Sequence, residues 1–502
     1  MFLFKTILSI LSGGIGVFSF SPWNYWPCSI LSLVGLQFFS NKLSYYKSGI
    51  IGFFWGIGLF GFGINWMYSS INSINSSSFI KNDLLVSILI IYLSIYPLLF
   101  CIILNFANRY LSSIELLFFS PSLWHILEYI RKNFLTGFPW LELGYSQIDS
   151  PLKNIGPILG VEGITFILMI LSYLFILSIL QRKFSYITYF FLILVVSHFL
   201  YKIPWYKQNK SKNINIALIQ TNIPQTLNWN TKDTIKILES YAQLIKKHIK
   251  KNSIIILPES AIPNSLLGEI KILNFFKKIL QNSNNALISG YIKSYKKNKK
   301  EYLYNTIIVF KKNKKNIYNY EIKYKKHHLV PFSENILFTK MFLNIFNISI
   351  FPFSSGPYIQ FPIKVKNFYF SSSICYEIIF GEQIRDNFFF KSDFLLSISN
   401  DVWFGKSVQS WQHFQMARMR ALELGRPLIH SSNNGITAIV NANGTINSML
   451  PRFQKSILQK CVTSTSGTTP YSKLGNIPIW IITIIFVIYS LIKLKKYNIK
   501  KL

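Results

Sequence analysis

Residues 253–259 read SIIILPE. An unbroken run of β-branched and apolar residues, too short for a helix, reads as a strand buried on both faces. Pro258 cannot donate to a ladder and closes it, so Glu259 is left at the strand's C-terminal mouth. Upstream, NINIALIQ (213–220) has the same buried-strand character. Between the two, TKDTIKILESYAQLIKKHIKK (231–251) spaces its apolar residues as an amphipathic helix.

The alternation continues to residue 470 and makes 212–470 one globular domain of α/β type. A helix is predicted near 269–282, with strands around 286–292 and 303–310. Further strands are FYFSSSIC (368–375), FLLSISN (394–400), PLIHSSN (427–433) and GITAIVN (435–441). A helix over 409–425 stops at Gly425. Strands slightly outnumber helices, which suits a sheet packed on a sheet with helices outside.

On either side of this domain the chain is apolar. Runs near 3–20, 26–40, 49–68, 84–104, 111–128, 155–180, 185–202 and 477–493 approach the roughly 20 residues that cross a bilayer. About eight spans are therefore expected: seven within 1–205, the fifth broken by Pro121, and one at 477–493. The N-terminus reads as a retained first span, because no small-x-small cleavage site follows it. With that terminus inside, the short connections holding Lys42 and Lys47, Arg109, Arg182 and Lys183, and the tail KLKKYNIKKL are all cytoplasmic and basic. The globular domain is then extracytoplasmic. Glu115, Glu128 and Glu162 are expected at span edges. The loop GFPWLELGYSQ (137–147), with Phe138, Trp140 and Glu142, reads as an aromatic segment at the membrane surface.

Net charge is +34. No arginine-rich tract or nucleic-acid motif accompanies it, so anionic lipid head groups are better partners than nucleic acid. Four cysteines, Cys28, Cys101, Cys375 and Cys461, form no CxxC pair and signal neither zinc nor a disulfide framework.

Three strand ends carry ionisable groups that packing does not require. Glu259 suits a general base, and equally a helix cap or surface glutamate. YKKHHLVPFSE (324–334) holds Lys325, Lys326, His327, His328 and Glu334. On its own it reads as a solvated face, except that LVPF turns the segment inward and favours a buried lysine. Neighbouring histidines point apart on a strand and make a poor metal site. In SSSICYEIIFGEQ (371–383), Cys375 is as much a small core hydrophobe as a nucleophile. Glu377 and Glu382 beside it would raise the thiol pKa unless a cation stood closer. Thiol, lysine and glutamate make chemical sense only together.

In order and approximate spacing, Glu259 in LPES, Lys326 in YKKHHLVP and Cys375 in ICYE resemble the Glu–Lys–Cys triad of the nitrilase superfamily. With spans before and after the domain, the whole chain resembles the apolipoprotein N-acyltransferase family of the bacterial inner membrane. QTNIPQTLNW (220–229), LPESAIP (257–263), SICYEIIFGE (373–382) and the long stretch 399–438 carry the likeness.

The resemblance implies a multi-pass helical membrane region plus an α-β-β-α sandwich on the periplasmic side. It implies Cys375 as nucleophile, Glu259 as proton acceptor and Lys326, rather than Lys325, as oxyanion stabiliser. Glu334, Tyr376 and Glu377 match supporting positions, and Trp229 matches a tryptophan on a mobile substrate-side loop. Ser333 stands where glycine is common. The implied reaction moves an acyl chain from a phospholipid, through a thioester, to the α-amine of the diacylglyceryl-cysteine of an apolipoprotein, with no metal or cofactor. A membrane-anchored amidase acting on a small amide is the alternative that the triad leaves open; the many spans would then have no purpose.

Overall fold

A computed structural model describes residues 1–74, 79–224, 231–262, 269–281, 283–297, 300–313, 317–331, 333–335 and 353–499. They form two compact units, Trp205–Thr468 and Met1–Pro204 with Thr469–Leu502.

The first unit is built on two six-stranded sheets. One runs, in spatial order, β12 (Ser456–Gly467), β1 (Tyr206–Gln220), β2 (Ile254–Ile256), β3 (Ala286–Lys297), β4 (Lys300–Lys312) and β5 (Tyr318–Lys325). The other runs β11 (Ile446–Met449), β10 (Ala438–Val440), β9 (Leu428–Ser432), β8 (Phe394–Ser399), β7 (Phe368–Ile374) and β6 (Ile363–Val365). Each has a parallel centre, β1–β2–β3 and β7–β8–β9, with antiparallel strands outside it. The inward faces interdigitate in one core that includes Ile216, Ile256, Ile288 and Val309 from the first sheet and Phe370, Leu396, Ile429 and Ile439 from the second. On the outer face of the first sheet, Tyr241 of helix Thr231–His248 and Phe276 of helix Glu269–Leu280 bury a second core with Ile255, Leu287 and Phe310. Parallel strands buried on both faces explain the continuous apolar runs of the sequence.

Four strands escape the sequence pattern. β5 alternates tyrosine with lysine, β6 is three residues long, and β11 and β12 are polar outer strands whose exposed residues mask the period. β1 begins at Tyr206, seven residues before NINIALIQ, because its polar start pairs with β12. β7 ends at Ile374, so Cys375 is not the last residue of a strand. It opens a 3₁₀ turn, Cys375–Ile379, at φ +51°.

Among the described residues of the other unit, four helices are long and apolar enough to cross a membrane: Asn82–Ala107, Pro151–Gln181, Phe184–Lys202 and Ile477–Lys495. A fifth span is available if Tyr45–Gly63 and Trp66–Asn72, bent by 56°, count as one. Phe2–Val17 and Pro27–Ser40 are apolar but shorter. Helix Ser113–Asn133 runs unbroken through Pro121, contrary to the interruption expected there. Small residues bring helices close: a Cβ on Gly13 would stand 2.1 Å from Trp55 O, and one on Gly58 2.1 Å from Ile10 O.

Of the charges expected at span edges, Glu115 stands at one, in the first turn of Ser113–Asn133, but Glu162 is internal. Glu162, inside Pro151–Gln181, is 4% exposed and takes His125 Nε2 at 3.0 Å and Lys132 Nζ at 2.7 Å. Trp140 and Glu142 are also buried, and Arg131 donates to the carbonyls of Phe138 (3.0 Å) and Trp140 (2.7 Å). The 137–147 loop is packed into the helical unit, not laid out as an exposed aromatic anchor, because that guanidinium satisfies its turning backbone.

Candidate active site

The carboxyl ends of the parallel strands carry the ionisable groups. Glu259 stands three residues past β2, followed by Ser260 at φ +52°. Gly290 on β3 lets this turn pack down: a Cβ there would lie 2.5 Å from Ser260 N and 2.7 Å from Glu259 Cα. Asn305 of β4 donates to Glu259 Oε1 at 2.7 Å through Nδ2, and its carbonyl holds the Lys326 N–H at 2.8 Å. Burial raises the Glu259 carboxyl above its ordinary value, an effect that Lys326 partly offsets.

Lys326 follows β5 and is 1% exposed. The KKHH cluster is therefore not a solvated face throughout. Lys325 lies over the rings of Tyr295 and Tyr304, while Lys326 turns inward. Its ammonium lies 2.8 Å from Glu334 Oε2 and 3.5 Å from Glu259 Oε1. Burial alone would lower its pKa; Glu334 and Glu259 outweigh that and raise it, so it stays charged. Glu334 also accepts the Val330 N–H at 2.9 Å.

Cys375 is half-buried, and its thiol feels the charges of Glu259 and Lys326. Burial first, then the charges of Glu259 and Asp401, hold the thiol well above its ordinary value; Lys326 pulls the other way. Glu377 and Glu382, expected to act on this thiol, do other things. Glu382 acts on Tyr358. Glu377, fully buried, accepts from His327 N (2.7 Å), Ile374 N (2.8 Å), Tyr324 Oη (3.0 Å) and Gln383 Nε2 (3.2 Å). It pins the turn of Cys375 to the chain that carries Lys326. Tyr376 packs edge-on to Phe380, and burial raises its phenol.

Glu259, Lys326, Glu334 and Cys375 thus converge, Glu377 lies behind them, and Trp229 falls outside the described residues. His327 Nδ1 meets Gly356 O at 2.7 Å and His328 Nδ1 meets Gln383 Oε1, so both rings already have protein partners. Sequence reading missed Asn305 and Asp401. An asparagine inside a strand and an aspartate just past one were the available signals. A half-buried thiol beside a carboxylate and a fixed ammonium can attack a carbonyl and pass its proton to the carboxylate, while the ammonium stabilises the resulting oxyanion.

The family described as carbon-nitrogen hydrolase matches residues 215–471, which makes the two-sheet sandwich a nitrilase-type domain. Residues 12–174 match the apolipoprotein N-acyltransferase N-terminal domain. The apolipoprotein N-acyltransferase of Wigglesworthia glossinidia brevipalpis is 42% identical over 99% of this chain and 100% of its own length. That of Photobacterium profundum is 36% identical over 98% of this chain and 95% of its own length. The chain belongs to the apolipoprotein N-acyltransferase family: it is a multi-pass membrane acyltransferase of the nitrilase superfamily, acting in lipoprotein maturation.

Proposed function

We propose that the acyl donor is a membrane phospholipid and that the acceptor is the α-amine of the diacylglyceryl-cysteine at an apolipoprotein N-terminus. Glu259 takes the proton of the Cys375 thiol as sulfur attacks the ester carbonyl. The oxyanion forms beside Lys326, which Glu334 orients. Collapse breaks the ester C–O bond, and Glu259 returns the proton to the departing lysophospholipid. The acyl chain remains on Cys375 as a thioester. In the second half, the amine attacks, Glu259 accepts its proton, the C–S bond breaks, and the proton returns to sulfur. Thioester and amine need no ATP, metal or cofactor, and the scheme is ping-pong. Trp229 contributes on the substrate side, Tyr376 lines the nucleophile's turn, and Glu377 positions it.

About eight spans, the short helices Phe2–Val17 and Pro27–Ser40 among them, would hold the chain in a bacterial inner membrane with 212–470 in the periplasm. There both lipid-anchored substrates are within reach. The basic short connections support this orientation. The observation that supports the chemistry best is a 1%-exposed Lys326 held 3.5 Å from Glu259 and 2.8 Å from Glu334, with the Cys375 thiol within reach of its charge.

Intact-mass spectrometry after incubation with phosphatidylethanolamine tests the first half-reaction. The expected result is a hydroxylamine-labile gain of one acyl chain, absent in Cys375→Ala. A folded wild-type protein that gains nothing, yet hydrolyses a small amide, would overturn the proposal.

A further inference from the structure

The strand register sets three small polar side chains in a row. Ile374 of β7 pairs with Ile398 of β8, so Cys375 and Ser399 come level one residue further on, and Ser399 pairs with Ser432 of β9. Asp401 caps the row, 2% exposed. Ser399 Oγ lies 2.8 Å from Asp401 Oδ1 and 3.5 Å from Cys375 Sγ, and Ser432 Oγ donates to Asp401 Oδ2 at 3.0 Å. Gly435 makes the space, since a Cβ there would fall 1.9 Å from Asp401 Oδ2.

A serine hydroxyl has one proton to give. From these positions we infer that Ser399 is a hydroxyl switch for the nucleophile, with Asp401 as its positioning residue. While sulfur is protonated, the hydroxyl donates to Asp401. When the S–H proton moves to Glu259, or when the C–S bond breaks, the same O–H rotates to the thiolate. Ser432 keeps Asp401 bonded meanwhile. No covalent bond changes in the switch. It serves both half-reactions proposed above and rests on that reading for its part in turnover, but its effect on the thiol exists without any acyl donor.

Iodoacetamide alkylation of Cys375 in the full-length protein, followed against pH, reads the thiolate directly. The other charged groups facing the thiol are Glu259 and Lys326; those facing Asp401 are His413 and Arg452. Ser399→Ala removes the donor to the thiolate, so the alkylation midpoint should rise, with roughly tenfold less thiolate at a fixed pH below it. Ser399→Thr should restore the wild-type profile. Asp401→Asn removes a negative charge near sulfur and should move the midpoint down. Ser432→Ala, which ties Ser399 more firmly to Asp401, should raise it by less than Ser399→Ala. Ser399→Ala with an unchanged profile would overturn the switch, and so would S399A and D401N moving the midpoint in the same direction. If S399A does not fold, the opposite signs expected of D401N and S432A decide the matter. Failure of phospholipid acylation leaves this readout intact, so the two proposals fail separately.

Discussion

Glu377 Oε1 accepts the backbone N–H of His327 at 2.7 Å. Through that bond, and the one from Ile374 N, a single carboxylate fastens the end of one sheet to the end of the other. The residue after Lys326 and the residue before Cys375 are both held by it. The spacing of ammonium and thiol is therefore set by a group that takes no part in the chemistry.

Replacing Glu377 by Gln puts a donor where five donors already point. Buried hydrogen bonds to a charged group are worth about 1.5–3 kcal/mol each, so E377Q should lose about 2–4 kcal/mol of stability. Thioester formation should also slow by about tenfold or more, with the KM for donor lipid little changed. Thermal unfolding in detergent and single-turnover acylation measure the two. Wild-type behaviour in both would show that the carboxylate is not a fastener.

Gly290→Ala should disable Glu259 from a neighbouring strand. The added methyl meets backbone atoms at 2.5 and 2.7 Å, which cannot rotate away. Overpacking of this kind costs about 1–3 kcal/mol. The expected protein is folded but less stable, with acylation reduced; unaltered acylation in a crystal structure with Glu259 unmoved would refute the account of that glycine.

Lys326→Met removes the fixed charge beside the nascent oxyanion. Loss of one such stabilising group typically lowers rate by roughly 10²–10³, and that is the fall expected in thioester formation. Lys326→Arg should not rescue it, because a larger guanidinium has no room at a 1%-exposed site between two carboxylates. Recovery of activity in K326R would sink the positional argument.

The charge on Glu259 raises the pKa of Cys375. Glu259→Gln should therefore shift iodoacetamide alkylation to lower pH than wild type. The thiolate becomes easier to form as an ion while the enzyme loses its proton acceptor and makes no thioester. The sign follows because the removed charge is negative and nearby, so the anion is destabilised less. A midpoint that rises in E259Q would mean that the charge of Glu259 does not govern the titration.

In the helical unit, Glu162→Gln would leave Lys132 and His125 without their carboxylate. Breaking a buried pair by removing one partner costs about 3–5 kcal/mol. The expected result is a large drop in the detergent melting temperature, partly recovered in E162Q/K132M.

The sequence by itself determined the α/β alternation and the apolar runs that frame it, and it pointed to Glu259, Lys326 and Cys375, which the fold brings together. A buried parallel strand writes itself as a continuous apolar run, and a charged residue at its end has no packing excuse. It also singled out Lys326 over Lys325, although only by resemblance. What it could not show were strands whose outward residues are polar, such as β5 and β12, because half-exposed alternation with lysine and tyrosine looks like surface. It misread Glu162, since a buried carboxylate is legible only once His125 and Lys132 are brought to it from another helix. Asn305, Asp401 and the true role of Glu377 belong to the tertiary structure for the same reason. Each acts through hydrogen bonds between residues 46, 31 and 50 positions apart, and only the pairing of strands within sheets and the stacking of one sheet on the other bring those partners within reach.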